Sequence, residues 1–251
     1  MSPSLELDGV SVDIAGRRVV DDVSLTVAAG EVVGVVGANG CGKTTAIRAA
    51  LGLVHLQSGD VRLAGRPVSG LGEAGRARLV GYLPQERRIG WNLPAWRVAA
   101  LGAPHLPLAK ARAVAMEALA EVEMADLAER GVFHMSGGER ARVLLARLLV
   151  TAAPLLIADE PAAGLDPDAQ LLVAELLRAR AARGTAILVT LHDLTLAARS
   201  CDRLMVMAKG RVVAEGTPRE ALTPDVLAGA FALKGGLIDT EAGLVVVSRR
   251  Q

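Results

Sequence analysis

Residues 37–45 read Gly37-Ala38-Asn39-Gly40-Cys41-Gly42-Lys43-Thr44-Thr45, a stretch that fits the phosphate-loop pattern G-x-x-x-x-G-K-[ST]. The apolar run at 31–36 before it predicts a buried strand, and the segment 46–51 after it predicts a helix. This order of strand, glycine-rich loop and helix turns backbone N–H groups and a helix N-terminus toward one point. The stretch therefore predicts an α/β fold built around an anion-binding loop.

The residue types of this loop suit a polyphosphate. Gly37, Gly40 and Gly42 allow the backbone to curl closely around such a group without clashes of β-carbons. Lys43 can supply a positive charge to the β- and γ-phosphates, and the hydroxyl of Thr44 can bind Mg²⁺. Taken alone, the loop leaves open a plain glycine-rich turn with an ordinary surface lysine.

Composition excludes several classes of protein. The chain has 251 residues, a net charge of +1, two cysteines and 51% hydrophobic residues. The most apolar stretch, 143–158, is interrupted by Arg147 and Pro154 and is too short to span a bilayer. Glu6 and Asp8 lie where a signal peptide would be basic and then apolar, so we expect a cytoplasmic protein. The charge gives no electrostatic reason to expect nucleic acid as the main partner.

The rest of the chain divides into segments that differ in residue composition and in the spacing of apolar residues. Residues 5–36 alternate in short apolar runs separated by Gly9, Gly16 and Gly30, which predicts an N-terminal antiparallel β subdomain with short turns at these glycines. We expect strands at 59–65, 80–85, 204–207 and 211–215, and a helical stretch at 109–130. The expected division is a mainly parallel, mixed-sheet core at 1–85 and 151–230, a helical subdomain inserted at 86–150, and a C-terminal hairpin or tail at 231–251.

Two later strands end in polar residues. The run 155–158 predicts a buried parallel strand that ends in Asp159 and Glu160, and the run 186–191 predicts another that ends at His192. In α/β sheets ligands bind beyond the carboxyl ends of the strands, where the phosphate loop also lies. Asp159 can hold the Mg²⁺ shell and Glu160 can polarise or deprotonate an attacking water, with His192 as a γ-phosphate contact.

A helix start at Ser136-Gly137-Gly138-Glu139 has two interpretations. Ser136 and Glu139 are spaced as a capping box, which explains these two residues. A second helix N-terminus that faces phosphate explains both glycines as well.

The inserted segment also contains both tryptophans, Trp91 and Trp96, and the pair Arg87-Arg88. Core packing for the rings and a solvated face for the arginines is the simpler expectation. Together they would also suit a docking groove for a partner helix.

In order and combination, these motifs resemble the nucleotide-binding subunit of an ABC transporter from about residue 5 to about residue 230. The matching segments are Walker A at 37–45, the Q-loop at Gln85, the signature at 136–139, Walker B ending in Asp159 and Glu160, the D-loop at Gly164-Leu165-Asp166, and the switch histidine His192. The resemblance implies binding and hydrolysis of ATP with Mg²⁺. It assigns the metal to Thr44, Gln85 and Asp159, and catalysis to Lys43, Glu160, His192 and Gln85.

The family also implies a set of partners. A homodimer, or a pair of related ATPase subunits, would form head to tail, so that Ser136 and Gly138 complete the nucleotide site of the other subunit. The resemblance assigns Gly137 and Asp166 to nucleotide binding as well. Polytopic permease subunits would hold the pair on the cytoplasmic face of the inner membrane, and a periplasmic substrate-binding protein would act indirectly. Nucleic acid is not expected.

The sequence departs from the family pattern in three ways. Ile14 aligns where the family usually has an aromatic residue that stacks on adenine, and the signature has Met135 for leucine and Glu139 for glutamine. The third is Cys41, which places a thiol beside a helix N-terminus and a lysine. Segments such as 81–85 and 191–194 are similar to the ATPases of importers for iron–siderophore, haem and cobalamin. The alternatives are an ABC ATPase of an exporter, or an ABC-type ATPase that acts on nucleic acid or ribosomes without a membrane partner.

Overall fold

The computed structural model describes residues 4–250, in which apolar runs form strands and alanine- and leucine-rich segments form helices. The strands are β1 (Leu5–Ile14), β2 (Arg17–Val27), β3 (Val32–Gly37), β4 (Ser58–Leu63), β5 (Arg66–Pro67), β6 (Val80–Leu83), β7 (Leu155–Asp159), β8 (Ala186–Thr190), β9 (Arg203–Ala208), β10 (Arg211–Gly216), β11 (Leu233–Thr240) and β12 (Gly243–Arg250). The helices are α1 (Lys43–Ala50), α2 (Glu73–Leu79), α3 (Ala95–Ala100), α4 (Leu108–Glu121), α5 (Gly137–Val150), α6 (Pro167–Ala182), α7 (Leu194–Ser200), α8 (Pro218–Ala221) and α9 (Pro224–Phe231). Across residues 4–250, no helix combines the length and the apolarity needed to cross a membrane.

A six-stranded sheet forms the centre of the fold, in the order β10-β9-β3-β8-β7-β6. All neighbours in it are parallel except β10, which is antiparallel to β9. Asp159 at the end of β7 pairs with Thr190 at the end of β8, and Thr190 also aligns with Val35 near the end of β3. The loops that follow β3, β6, β7 and β8 therefore meet at one edge, and the predicted mixed, mainly parallel core is confirmed.

The N-terminal strands form a separate antiparallel sheet, in the order β2-β1-β4-β5, as predicted. The expectation of a turn at Gly9 is wrong, because β1 continues through this residue. Gly9 has a φ of +58°, and the pairing register with β2 shifts between Leu7 and Val10. The glycine thus marks a bulge, which inserts a residue without ending the strand.

Helices α3, α4 and α5 pack against one another through small buried residues such as Ala99, Ala115 and Ala146. The helical stretch expected over 109–130 is interrupted in the structure, since α4 ends at Glu121. Glu123 adopts a left-handed conformation, and the N–H of Met124 donates to the carbonyl of Leu119 at 2.7 Å. This is the Schellman arrangement, which ends a helix without requiring a proline.

The last two strands, β11 and β12, form a hairpin that packs on α7 and α9. The N–H of Val246 donates to the hydroxyl of Thr195 at 3.1 Å, and Arg199 Nε donates to the carbonyl of Leu244 at 2.9 Å. Thr195 and Arg199 both lie on α7, which begins directly after His192 and Asp193. The hairpin therefore braces the helix that follows the end of β8.

Candidate functional site

The phosphate loop connects β3 to α1 in very little space. A β-carbon on Gly37, which has a φ of +156°, would lie 2.3 Å from the carbonyl oxygen of Met207. A β-carbon on Gly42, with a φ of +109°, would lie 2.7 Å from the carbonyl oxygen of Val19. Both positions require glycine, because the backbone of β9 and of β2 passes directly behind the loop.

Lys43 folds its side chain back over this loop and is only 5% exposed. Its Nζ donates to the carbonyl of Gly37 at 2.8 Å and to that of Ala38 at 3.3 Å. An ammonium group has three donors, so the one that these bonds leave can serve an anion. A buried cation with carbonyl partners at a helix start is well suited to phosphate.

Asp159 and Thr190 form a buried pair at the ends of β7 and β8. The hydroxyl of Thr190 donates to Oδ1 of Asp159 at 2.6 Å and accepts the N–H of Glu160 at 2.7 Å. Oδ2 of Asp159 is buried and has no hydrogen-bond partner within residues 4–250. Burial raises the pKa of nearby Tyr82, and the negative charge of Asp159 raises it further. An oxygen without a partner in such a position fits a ligand for Mg²⁺ or its water.

Glu160 is the point where the predicted side chains meet. Its Oε2 accepts from Gln85 Nε2 at 2.8 Å, and its Oε1 lies 2.5 Å from His192 Nε2. The backbone of Glu160 is left-handed, with a φ of +54°. A non-glycine residue keeps that conformation only where its surroundings hold it, and such strain is common at functional sites.

A cleft of about 410 Å³ lies between the loop and these side chains. Its lining residues are Val19, Asn39, Gly40, Gly42, Lys43, Thr44, Thr45, Gln85, Glu160 and His192. All but Val19 were predicted from the sequence. Val19 was missed because an aliphatic residue in an edge strand carries no signal of ligand contact.

The two cysteines lie outside this cleft. Cys41, a predicted loop contact, is buried in the core below the loop with its sulfur toward Gly37, so its backbone alone is available to a phosphate. Cys201 is buried beside Gly34, and this burial raises the pKa of its thiol to about 12.

The predicted signature and D-loop residues also lie outside the cleft. Ser136 caps α5: its hydroxyl accepts the N–H of Glu139 at 3.1 Å, and the Glu139 carboxylate accepts the N–H of Ser136 at 2.6 Å. Asp166 caps α6 by accepting the N–H of Ala169 at 2.9 Å. A β-carbon on Gly138 would lie 3.7 Å from Leu165, so the two motifs are neighbours on one surface. The capping box is present, and the hydroxyl hydrogen of Ser136 can still be donated.

In each pair, the two tryptophans and the two arginines, one residue is exposed and the other is at least partly buried. Trp96 is buried and donates from Nε1 to Glu129 at 3.0 Å, whereas Trp91 is 72% exposed. Arg88 is exposed, as expected for a solvated face. Arg87 is not, because its guanidinium bonds to three backbone carbonyls. Ile14 is exposed at the turn between β1 and β2.

A phosphate loop beside strand-end carboxylates, on a mainly parallel sheet with an inserted helical part, defines a P-loop nucleotide-binding domain. A sequence profile described as "ABC transporter" matches residues 20–163, which is more than half of the chain. The chain therefore belongs to the ABC transporter family, as an ATP-binding domain.

Relatives and solved structures agree with this membership. The chain is 40% identical to the cobalamin import ATP-binding protein BtuD of Halobacterium salinarum, over 98% of this chain and 63% of the relative's length. It is 38% identical to the hemin import ATP-binding protein HmuV of Rhodococcus jostii, over 99% of this chain and 87% of the relative. A solved ATP-binding subunit of an ABC transporter superposes with a TM-score of 0.77 at 30% identity, over 85% of this chain and 89% of that one.

Proposed function

We propose that this chain is the ATP-hydrolysing subunit of an ABC importer. The observation that carries the proposal is the position of Glu160, whose carboxylate bonds to Gln85 and His192 at the edge of the cleft below the phosphate loop. A carboxylate held beside bound phosphates is suited to accept a proton from an attacking water. Its two partners come from the loops after β6 and β8, so it can respond to movements of both.

The binding of ATP would use the loop and the strand ends together. Backbone N–H groups of residues 39–45 and the ammonium of Lys43 would bind the phosphates. Thr44, Gln85 and Asp159 offer oxygen ligands of the type that Mg²⁺ prefers, and the ion would neutralise charge on the β- and γ-phosphates. The orphaned Oδ2 of Asp159 supports this assignment. Exposed Ile14 offers no aromatic face, so adenine would be held less firmly than the phosphates.

Hydrolysis would require a rearrangement at Glu160. His192 and Gln85 contact both carboxylate oxygens, so an attacking water would have to replace at least one of them. Once ATP is bound, His192 would turn to the γ-phosphate and Gln85 to the metal shell. Glu160 would then be free to take the proton of the attacking water.

A second subunit would complete the site. Ser136, Gly137, Gly138 and Asp166 lie outside the cleft of their own chain, yet the family resemblance assigns them to the nucleotide. A head-to-tail pair, of two identical chains or of two related ATPases, resolves this, because each chain then supplies these residues to the other. Closure by ATP and reopening by hydrolysis would follow as shifts between two states of the dimer.

A groove of about 800 Å³ between α2, β6 and the helical part offers a place for a membrane partner. It is lined mainly by apolar side chains, with Arg78, His105 and Arg147 among them. Neither tryptophan lines it, so the docking role considered for Trp91 and Trp96 stays a separate prediction. A short cytoplasmic helix of a polytopic permease, apolar on one face and acidic at its end, fits this lining.

The cargo and the setting are taken from the relatives. Those named above are cobalamin and hemin import proteins, which supports import of a cobalamin, haem or iron–siderophore type of substrate. The chain would lie on the cytoplasmic face of the inner membrane, with a periplasmic binding protein delivering the cargo. Residues 1–85 and 151–230 would act as the catalytic core, 86–150 as the helical subdomain and 231–251 as a terminal hairpin.

Co-purification tests this proposal most directly. Expressed with its genomic neighbours and extracted in detergent, the chain should isolate with a polytopic membrane protein and show ATPase activity that the variant Lys43→Ala lacks. Isolation without a membrane partner, together with ATPase activity stimulated by nucleic acid, would instead favour an ATPase that acts on nucleic acid or ribosomes.

A further inference from the structure

Arg87 makes an unusual set of contacts two residues after Gln85. Its Nη2 donates to the carbonyls of Glu160 and Pro161, each at 2.8 Å, and its Nη1 donates to the carbonyl of Ala163 at 2.8 Å. Neighbouring Arg88 has the same charge but an exposed side chain near Glu86. Arg87 thus has a specific structural role that its neighbour does not share.

The three carbonyls belong to one turn. This turn begins at Glu160 and leads to Asp166, so it joins the end of β7 to the start of α6. Besides Arg87, the turn has two internal backbone bonds, from the N–H of Ala163 to the carbonyl of Glu160 at 3.2 Å and from the N–H of Leu165 to the carbonyl of Ala162 at 3.3 Å. The side chain of Gln170 supports only its far end, by donating to the carbonyl of Leu165 at 3.0 Å. A planar guanidinium with five fixed donors can hold several carbonyls in one geometry, which an ammonium cannot.

Glu160 is therefore held through both of its backbone polar groups. Its N–H donates to the hydroxyl of Thr190, and its carbonyl accepts from Arg87. These two bonds support the left-handed backbone of Glu160, a conformation that is strained for a residue with a side chain. The direction of the carboxylate depends on this backbone, because the side chain leaves from it.

Within the part of the chain that the structure describes, the guanidinium of Arg87 is not part of an ion pair. Among residues 4–250, no carboxylate lies within ion-pair distance of Arg87, and carbonyl oxygens take its N–H groups instead. Burial lowers the pKa of this guanidinium, and the nearby charge of Glu160 opposes that effect. The cation therefore remains charged and binds to the backbone dipoles of the turn.

We propose that Arg87 is a positioning residue for hydrolysis: it fixes the turn from Glu160 to Asp166 and connects it to the segment that carries Gln85. This inference rests on the proposed function. Any displacement of the segment after β6 would pull on the backbone of Glu160 and on the turn that ends at Asp166. Arg87 would thus make Glu160, the proposed base, move together with Asp166, which is directed to the partner subunit.

Steady-state ATPase kinetics of four proteins test this role: wild type, Arg87→Ala, Arg87→Lys and Arg88→Ala. Arg87→Ala should lower kcat by about 10- to 100-fold, because a misplaced catalytic group slows chemistry strongly. Its KM for ATP should stay within about threefold of wild type, since Arg87 does not line the cleft. Arg87→Lys should fall between wild type and Arg87→Ala, and Arg88→Ala should match wild type.

Several outcomes would overturn the role of Arg87. These are an unchanged kcat in Arg87→Ala, an equal loss in Arg88→Ala, or a rise in KM with kcat preserved. If Arg87→Ala does not fold, as judged by its thermal transition, Arg87→Lys decides: a wild-type kcat in it refutes the positioning role, and a reduced kcat at unchanged KM supports it. A wild-type protein without ATPase activity would instead refute the proposed function, and this inference with it.

Discussion

His192 Nε2 lies 2.5 Å from Oε1 of Glu160, so the side chain expected to contact the γ-phosphate is bonded to the carboxylate expected to act as base. Gln85 takes the other oxygen at 2.8 Å. In this arrangement the three side chains satisfy one another. As the proposed base, Glu160 would accept a proton from a water only after these partners move away.

Removing the charge of Glu160 should separate binding from hydrolysis. The variant Glu160→Gln keeps the size of the side chain but cannot accept a proton from water, so kcat should fall by at least about 100-fold. ATP should still bind, because the loop is untouched, and an ATP-bound dimer should accumulate and be visible by size-exclusion chromatography with light scattering.

Glu86→Gln is the matched control, since Glu86 is an exposed acid in the segment after β6. It should hydrolyse ATP and elute as wild type does. Rapid turnover or a monomeric elution of Glu160→Gln in ATP would contradict the assignment of the base.

The hydroxyl of Thr190 should contribute to stability, because it serves two buried groups at once. Thr190→Val would leave Oδ1 of Asp159 and the N–H of Glu160 without their partner, and should lower the free energy of unfolding by about 1–3 kcal/mol. Thr190→Ser keeps the hydroxyl and should lose less. Urea unfolding followed by circular dichroism measures both. Equal stability of the valine and serine variants would show that the hydroxyl bonds contribute nothing.

The start of α5 should make stability depend on pH in a predictable direction. The bond from the Ser136 N–H lowers the pKa of Glu139 below its usual 4.5. Ionised Glu139 therefore stabilises the fold above its unfolded-state pKa, and this contribution disappears as pH falls through the lower, folded-state value. Glu139→Gln can still accept the bond but carries no charge, so its stability should decline less than that of wild type over this acidic range.

Urea unfolding at a series of pH values gives this slope. Near neutral pH the Gln variant should lie within about 0.5 kcal/mol of wild type, because glutamine also completes a capping box. Glu117→Gln, an exposed change on α4, should keep the wild-type slope. Identical acid slopes for Glu139→Gln and wild type would refute the role of this carboxylate.

Filling the groove between α2, β6 and the helical part should prevent the membrane partner from binding, whereas ATP binding should be unaffected. Ala77 lines the groove and has an exposed side chain, so Ala77→Trp would place a bulky ring where a permease helix docks. We expect the variant to lose co-purification with the permease while it binds ATP as wild type does. Ala113→Trp, at an exposed position on α4, is the control. Unchanged recovery of the permease with Ala77→Trp would exclude this groove as the docking site.

Local sequence patterns were sufficient for the phosphate loop, the antiparallel strands and the residues at strand ends. Asp159, Glu160 and His192 could be located because each follows a run of buried aliphatic residues, and such runs end at the same edge of a parallel sheet. The family resemblance added residues that no local pattern identifies, Gln85 above all.

The contributions of Thr190 and Arg87 could not be predicted, because both depend on contacts between distant parts of the chain. Thr190 meets Asp159 only through the register of β7 and β8. Arg87 follows Gln85 by two residues but bonds to a turn more than seventy residues later. From the sequence alone, two adjacent arginines are both expected on a solvated surface, and only the fold shows that Arg87 is held by backbone carbonyls. Gly9 was mistaken for a turn for the same reason: a bulge is defined by the partner strand.

The burial of Cys41 and Cys201 has a practical consequence for site-specific labelling of this protein. Neither native thiol is presented at the surface, so a fluorophore or spin label attached through a newly introduced surface cysteine would report from a single known position. Pairs of such labels on two subunits could then measure how far the subunits approach with each nucleotide, in the otherwise native sequence.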